Sequence, residues 1–364
     1  MFAPNPTPTL STEGQNFILV LAHFPVHDAS FTSRVRALEK LLRDCQAVIN
    51  DQKSKLDKRL PFKGMVVCPE YFFAGFKTGD REPLTELEKD IVHGHLLKVS
   101  GDYPDILLMP GTLFYAKSLD RPEFARFKMM KSGKHAGERV GPEKKTDRHT
   151  KVVAEMHKAL SMGASSSNSW VRTTSYSKET LGGKEVLSMS DKYKALRDRD
   201  ATMFCRNRAY ILLGGKQVAR VDKQTDFRES TSNTLDEMVF IPGTSNQIPE
   251  IAGLKFGLEI CFDHGNGVLR SRGVPVHFHV VLSDWVGTDT TNFILQSGGF
   301  FIHASTSPDE TKLYWNSPGH GITDLTTADH PVRIRHSRTA SEEVRTYLLP
   351  FPANPEKKAK KGLF

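Results

Sequence analysis

Apolar residues along the chain fall into short uninterrupted runs separated by stretches of helical periodicity. Phe17 to Ala22 (FILVLA) has the pattern of a strand buried on both faces. Phe31 to Gln52 carries Val35, Leu38, Leu41, Leu42, Cys45, Val48 and Ile49 at helical spacing, which predicts an amphipathic helix capped by Ser30 or Thr32. Met65 to Cys68 (MVVC) reads as a second strand and Leu84 to Val99 as a second helix. Asp105 to Tyr115 is a third apolar run, which Pro110-Gly111 divides into two segments or a bulge. This alternation predicts an α/β fold with helices packed on a sheet.

From Ala116 to about Thr202 the pattern lapses. So long a stretch without structure does not suit a compact domain, so residues 117–201 read as an insertion with its own elements: a short helix over Val152 to Met162 and a Ser-rich loop from Ser161 to Ser169. Order resumes with Tyr210 to Gly214, a turn at Gly215-Lys216 and Gln217 to Val221, which together predict a β-hairpin. Met238 to Ile241, Gly253 to Cys261, Val276 to Leu282 and Phe300 to Ala304 read as further strands, and Thr291 to Gly298 as a helix. Residues 1–15, rich in Pro, Thr, Ser and Asn, read as a flexible leader. Residues 351–364 read as a basic tail, and 16–350 as one domain with the insertion inside it.

The chain has 364 residues, of which 38% are hydrophobic, enough for a large core. No apolar run approaches the roughly 18 to 20 residues needed to span a bilayer, and the first residues lack a secretory pattern. Cys45, Cys68, Cys205 and Cys261 lie far apart, so neither a disulfide framework nor a zinc site is expected, and a reducing, cytoplasmic compartment fits. The net charge of +8 is uneven: twelve Lys and Arg stand against six Asp and Glu between Lys117 and Leu160. No interleaved aromatic residues accompany this cluster, which argues against nucleic acid as a partner. His277 and His279 alternate along one strand without an obvious third ligand, so no metal is expected.

Three reactive side chains lie at predicted strand ends. Glu70 follows MVVC-Pro, Lys223 follows the hairpin, and Cys261 closes a run rich in Leu, Ile and Phe just before the turn formers Asp263, His264, Gly265 and Asn266. A thiol attacking an amide or nitrile carbon needs a base for its proton and a cation or N–H groups for the negative charge that develops on the substrate; a carboxylate and an ammonium meet those needs.

The sequence around these residues resembles the nitrilase, or carbon–nitrogen hydrolase, superfamily. Met65-Val66-Val67-Cys68-Pro69-Glu70 resembles the strand that ends in the general base. Gly215 to Lys223 is similar to the hairpin leading to the lysine, and Gly257-Leu258-Glu259-Ile260-Cys261-Phe262-Asp263 to the nucleophile strand. The resemblance runs from about Phe17 to Ala304 around the insertion. It implies an α-β-β-α sandwich, usually a homodimer, and cofactor-free hydrolysis of a non-peptide carbon–nitrogen bond in a small amide, carbamoyl compound or nitrile, with an amide favoured. Glu70 is then the base, Cys261 the nucleophile, and Lys223 with the Phe262 N–H the oxyanion partner. Tyr71, Phe262, His264 and Trp285 are candidate substrate contacts, and Glu229 is the nearest candidate for the second glutamate of many members. Thr225 stands where the family commonly has His, and the insertion enlarges a usually direct connection. A silent scaffold binding an anionic partner through the basic insertion is the competing expectation.

Overall fold

The run predicted from Phe17 to Ala22 forms β1 (Asn16–His23), buried along its whole length because it has a core on each side. Strand geometry divides its side chains: Ile18, Val20 and Ala22 face a helix layer, while Phe17, Leu19 and Leu21 face a second sheet. The structure is a computed structural model that describes residues 8, 16–27, 29–58, 60–75, 83–118, 203–225, 238–243, 247–327, 330–338 and 342–352. Nearly all of the expected leader, insertion and tail, including the segments at 152–162 and 161–169, together with Glu229, lies outside the described residues.

Helix α1 (Phe31–Asp51) starts at Ser30, whose hydroxyl accepts from the Ser33 N–H at 3.2 Å. Helix α2 (Glu86–Asp102) begins after Leu84, because Thr85 and Glu88 form a reciprocal capping box. Both helices pack on the same face of the first sheet. No described helix is long and apolar enough to cross a membrane.

The first sheet contains β2 (Gly64–Val67), β3 (Ile106–Met109), β4 (Thr112–Ser118), β5 (Met203–Leu213), β6 (Lys216–Asp222), β7 (Met238–Phe240), β14 (Arg333–Arg338) and β15 (Glu343–Pro350) beside β1. Its main path runs β14-β15-β1-β2-β3-β5-β4, with β6 and β7 also on β5. The second sheet has the order β13-β12-β11-β10-β9-β8, formed by β8 (Glu250–Ile251), β9 (Leu254–Ile260), β10 (Val276–Ser283), β11 (Leu295–Ser305), β12 (Lys312–Ser317) and β13 (Gly321–Asp324). Phe256, Leu258 and Ile260 of β9 and Phe278, Val280 and Leu282 of β10 meet the inward residues of β1 and β2 in one core between the sheets.

Pro110-Gly111 does divide the third apolar run, into β3 and β4. Gly111 is required there: its φ is +83°, and a Cβ would lie 2.2 Å from the Pro69 carbonyl oxygen, against the segment that carries Glu70.

Three expectations change. The predicted helix from Thr291 to Gly298 is a 3₁₀ turn at Thr290–Asn292 followed by the start of β11, where Leu295 pairs with Val276. Strand β5 begins at Met203, well before Tyr210. Its polar Arg206-Asn207-Arg208 stretch hides the strand pattern because Asn207 and Arg208 hold acids, Glu70 and Asp222. Beyond Ala304, β12 to β15 had no sequence reading, and β15 pairs antiparallel with β1. The expected order of helices, sheet and sheet is present. On the outer face of the second sheet, the one-turn helix α3 (Phe262–Gly265), Leu269 and Phe293 pack against β9 to β11.

Candidate active site

Glu70, Lys223 and Cys261 leave the ends of β2, β6 and β9, so the two sheets deliver the predicted trio to one place. The Lys223 Nζ donates to Glu70 Oε1 at 2.9 Å, and both side chains are buried. Asn207 Nδ2 donates to the same oxygen at 2.8 Å, and the Asp284 backbone N–H donates to Oε2 at 3.0 Å. The Glu70 backbone N–H in turn donates to the Ser283 carbonyl at 3.3 Å, so this residue stitches the first sheet to the end of β10.

Cys261 is 6% exposed. Burial first, then the negative charge of Glu70 and the thiol's hydrogen bond to it, push its pKa up to about 12 against the opposing Lys223 ammonium and Asp284 N–H. A thiol held up in this way needs a base to take its proton, and the Glu70 carboxylate whose charge it feels is the base at hand. Cys45 and Cys68, also pushed up chiefly by burial, sit in the core between helices and sheet.

Several groups fix the loops around the trio. The backbone of Cys261 has φ 50° and ψ −112°, a conformation that costs a non-glycine residue on the order of 1–3 kcal/mol. Asp263 holds the neighbouring segment: its carboxylate accepts from the backbone N–H groups of Gln224 (3.0 Å) and Thr225 (2.7 Å), directly after Lys223. Arg34 of α1, 1% exposed, donates to the carbonyls of Tyr71, Phe72, Ala74 and Gly75 at 2.6 to 3.2 Å, fixing the turn after Glu70. Tyr71 itself has φ 54°, with its N–H donating to Thr112 Oγ1 at 2.9 Å.

Tyr71 is buried, with its ring 6.1 Å from that of His27, which bonds Asp284 at 2.9 Å. Trp285 follows Asp284 and is 71% exposed, and Phe262 opens α3. His264 turns to the outer face of the second sheet. There its Nδ1 and the Nε2 of His279 lie 3.0 and 2.7 Å from Glu259 Oε2, while Glu259 Oε1 accepts from the Leu269 N–H at 2.6 Å. His277 is elsewhere, with its Nδ1 accepting from the Lys255 N–H.

The side chains of Glu259, His264 and His279 place three ligand-type atoms within 4.8 Å of one another. A metal would need the lone pair of His264 Nδ1. Its Nε2, however, already accepts from the Asp289 N–H at 3.3 Å, which puts the ring proton on Nδ1, facing Glu259. His279 directs its Nε2 at the same carboxylate, with burial lowering its pKa against the opposing pull of Glu259. The donor set fits a hydrogen-bonded carboxylate better than a cation.

Burial pushes the Glu259 pKa up, but the bonds from His264, His279 and the Leu269 N–H outweigh it and hold the carboxyl at about 2. A folded pKa below the unfolded value contributes stability that is present above about 4.5 and lost as pH falls toward 2. Glu259→Gln should flatten that acid limb, the wild type losing up to about 3 kcal/mol more than the variant between those pH values. Urea unfolding at stepped pH measures this; parallel acid limbs would contradict it.

Asn207, Arg34 and Glu259 carry no role in the sequence reading. Glu259 had a usable signal, an acid inside an otherwise apolar strand two residues before the thiol, since such an acid is almost never fully buried unless paired.

No protein-family model and no curated protein matches the sequence. Among solved structures, the chain is similar to Saccharomyces cerevisiae Nit3, a member of branch 10 of the nitrilase superfamily. The two are 12% identical with a TM-score of 0.45, over 97% of this chain and 96% of that one. It is also similar to a double mutant of the amidase from Nesterenkonia sp. AN1 in complex with acrylamide (10% identity, TM-score 0.44, 98% and 100% of the two chains). A third is a carbon–nitrogen hydrolase from Helicobacter pylori (10% identity, TM-score 0.40, 95% and 93%). At such identities no residue's role transfers, and the chemistry is read from the site itself.

Proposed function

We propose that the chain is a carbon–nitrogen hydrolase of the nitrilase superfamily that cleaves a small amide or carbamoyl compound, in preference to a nitrile, through an acyl-enzyme on Cys261. The observation that carries this reading is the buried Glu70–Lys223 pair, 2.9 Å apart, beside the strained turn of Cys261, whose thiol feels the charges of both. Glu70 takes the thiol proton as sulfur attacks the carbonyl carbon. The carbonyl electron pair moves to oxygen, which Lys223 and the Phe262 N–H steady. The tetrahedral species collapses by breaking the carbon–nitrogen bond, the amine leaving with the proton from Glu70. Water, deprotonated by Glu70, then attacks the thioester carbon, and the acid leaves as the thiol is restored. In this reading Tyr71, Phe262 and Trp285 border the substrate, and the enzyme works as a homodimer without metal or organic cofactor. Acyl transfer to an amine would share the same acyl-enzyme.

Mass spectrometry of the intact protein after exposure to an amide library tests the reading. An acyl increment mapped to Cys261 is expected with at least one compound. No acyl adduct with any compound would overturn it.

A further inference from the structure

The strained backbone of Cys261 raises the question of what holds it, since α3 behind it is a single turn. Two main-chain bonds act directly: the Cys261 N–H donates to the Leu282 carbonyl, and the His264 N–H to the Cys261 carbonyl, each at 2.9 Å. The rest of the restraint comes from the outer face of the sheet. Glu259, two residues before the nucleophile, receives His264 from three residues after it, Leu269 from eight residues after it and His279 from the adjacent strand β10. The carbonyl of His264 is further held by Asn292 Nδ2 at 2.8 Å. One carboxylate thus ties the strand that enters the turn, the chain that leaves it and the neighbouring strand.

Resting on the hydrolase reading, we propose that Glu259, His264 and His279 form a positioning device for Cys261, built on the opposite face of β9 from the core between the sheets. None of the three touches the reacting atoms. They fix the turn that aims the thiol at Glu70, with Glu259 as the shared acceptor. The charge of Glu259 is not what serves the nucleophile, because a nearby negative charge disfavours a thiolate. Removing that charge alone would ease ionisation and speed alkylation, whereas removing the anchor lets the thiol drift from its base and slows it.

That opposition of sign makes the test. Alkylation of the full chain by iodoacetamide is followed from pH 6 to 10 with the modified residue mapped, alongside thermal unfolding, metal analysis and, for any substrate found, kcat and KM. In Glu259→Gln and His279→Leu, alkylation of Cys261 in the folded protein is expected to be at least tenfold slower across the range, with kcat falling and KM nearly unchanged. His279→Gln, whose amide N–H still reaches Glu259, should recover to within about threefold of wild type. If Glu259→Gln does not fold, the His279 pair carries the comparison.

Folded variants with wild-type or faster alkylation would overturn the proposal, as would equal losses in His279→Leu and His279→Gln. So would a stoichiometric metal ion in the wild type that is lost in Glu259→Gln, which would mean coordination instead. Failure of the hydrolase reading is separate: the wild type would form no acyl adduct while its alkylation still depended on Glu259.

Discussion

Cys261→Ala is expected to remove turnover of every amide that the wild type cleaves, a loss on the order of 10⁴ or more in kcat, and to remove the acyl adduct. Neither Cys45 nor Cys68 can take over, since both lie in the core between the helices and the first sheet rather than beside Glu70. The same change should hardly unfold the protein. Only one sulfur leaves the core between the sheets, a cavity term of roughly 1 kcal/mol, and alanine at a φ of 50° carries much the same backbone strain as cysteine. Lost activity with a nearly unchanged unfolding midpoint therefore separates a nucleophile from a packing residue. Turnover within tenfold of wild type would remove Cys261 from the mechanism.

The trio was legible through the resemblance of its three surrounding stretches to one superfamily, since strand ends alone offer many acids and lysines and Lys223 follows a largely exposed hairpin strand. The turn formers after Cys261 and the glycine hairpin before Lys223 punctuate those stretches clearly. The supporting groups were not legible. Asn207 lies between two arginines, a stretch that reads as a polar loop until Glu70 and Asp222 are seen to neutralise it. Arg34 occupies a core position of α1, where helical periodicity alone predicts an apolar residue. Only the carbonyls of the turn at Tyr71 to Gly75 explain it. The Glu259 cluster draws on residues from β9, α3 and β10, and spacing along the chain does not reveal that His279 faces Glu259 while His277 does not. Of the strands beyond Ala304, β12 to β14 were missed because they are only partly buried, and without a strong alternation they carry little periodic signal.

Lys223→Met is expected to destabilise the fold by about 3–5 kcal/mol, as well as removing the oxyanion partner, because it withdraws the cation bonded to a fully buried carboxylate. The position of the pair sharpens the effect. Glu70 belongs to the first sheet, yet its Oε2 accepts from Asp284 at the end of β10 in the second, so an uncompensated charge would stand at the seam between the sheets. Glu70→Gln in the Lys223→Met background replaces that charge with a neutral amide that still accepts a hydrogen bond, and should restore about 2 kcal/mol. Catalysis should not return, since the double variant has neither base nor cation, and each loss alone is worth on the order of 10²–10⁴ in rate. Urea unfolding of the four proteins in a double-mutant cycle measures the coupling. A Lys223→Met variant within 1 kcal/mol of wild type, or a double variant less stable than Lys223→Met, would mean that the ammonium does not compensate Glu70 and that the pair is not the electrostatic centre of the site.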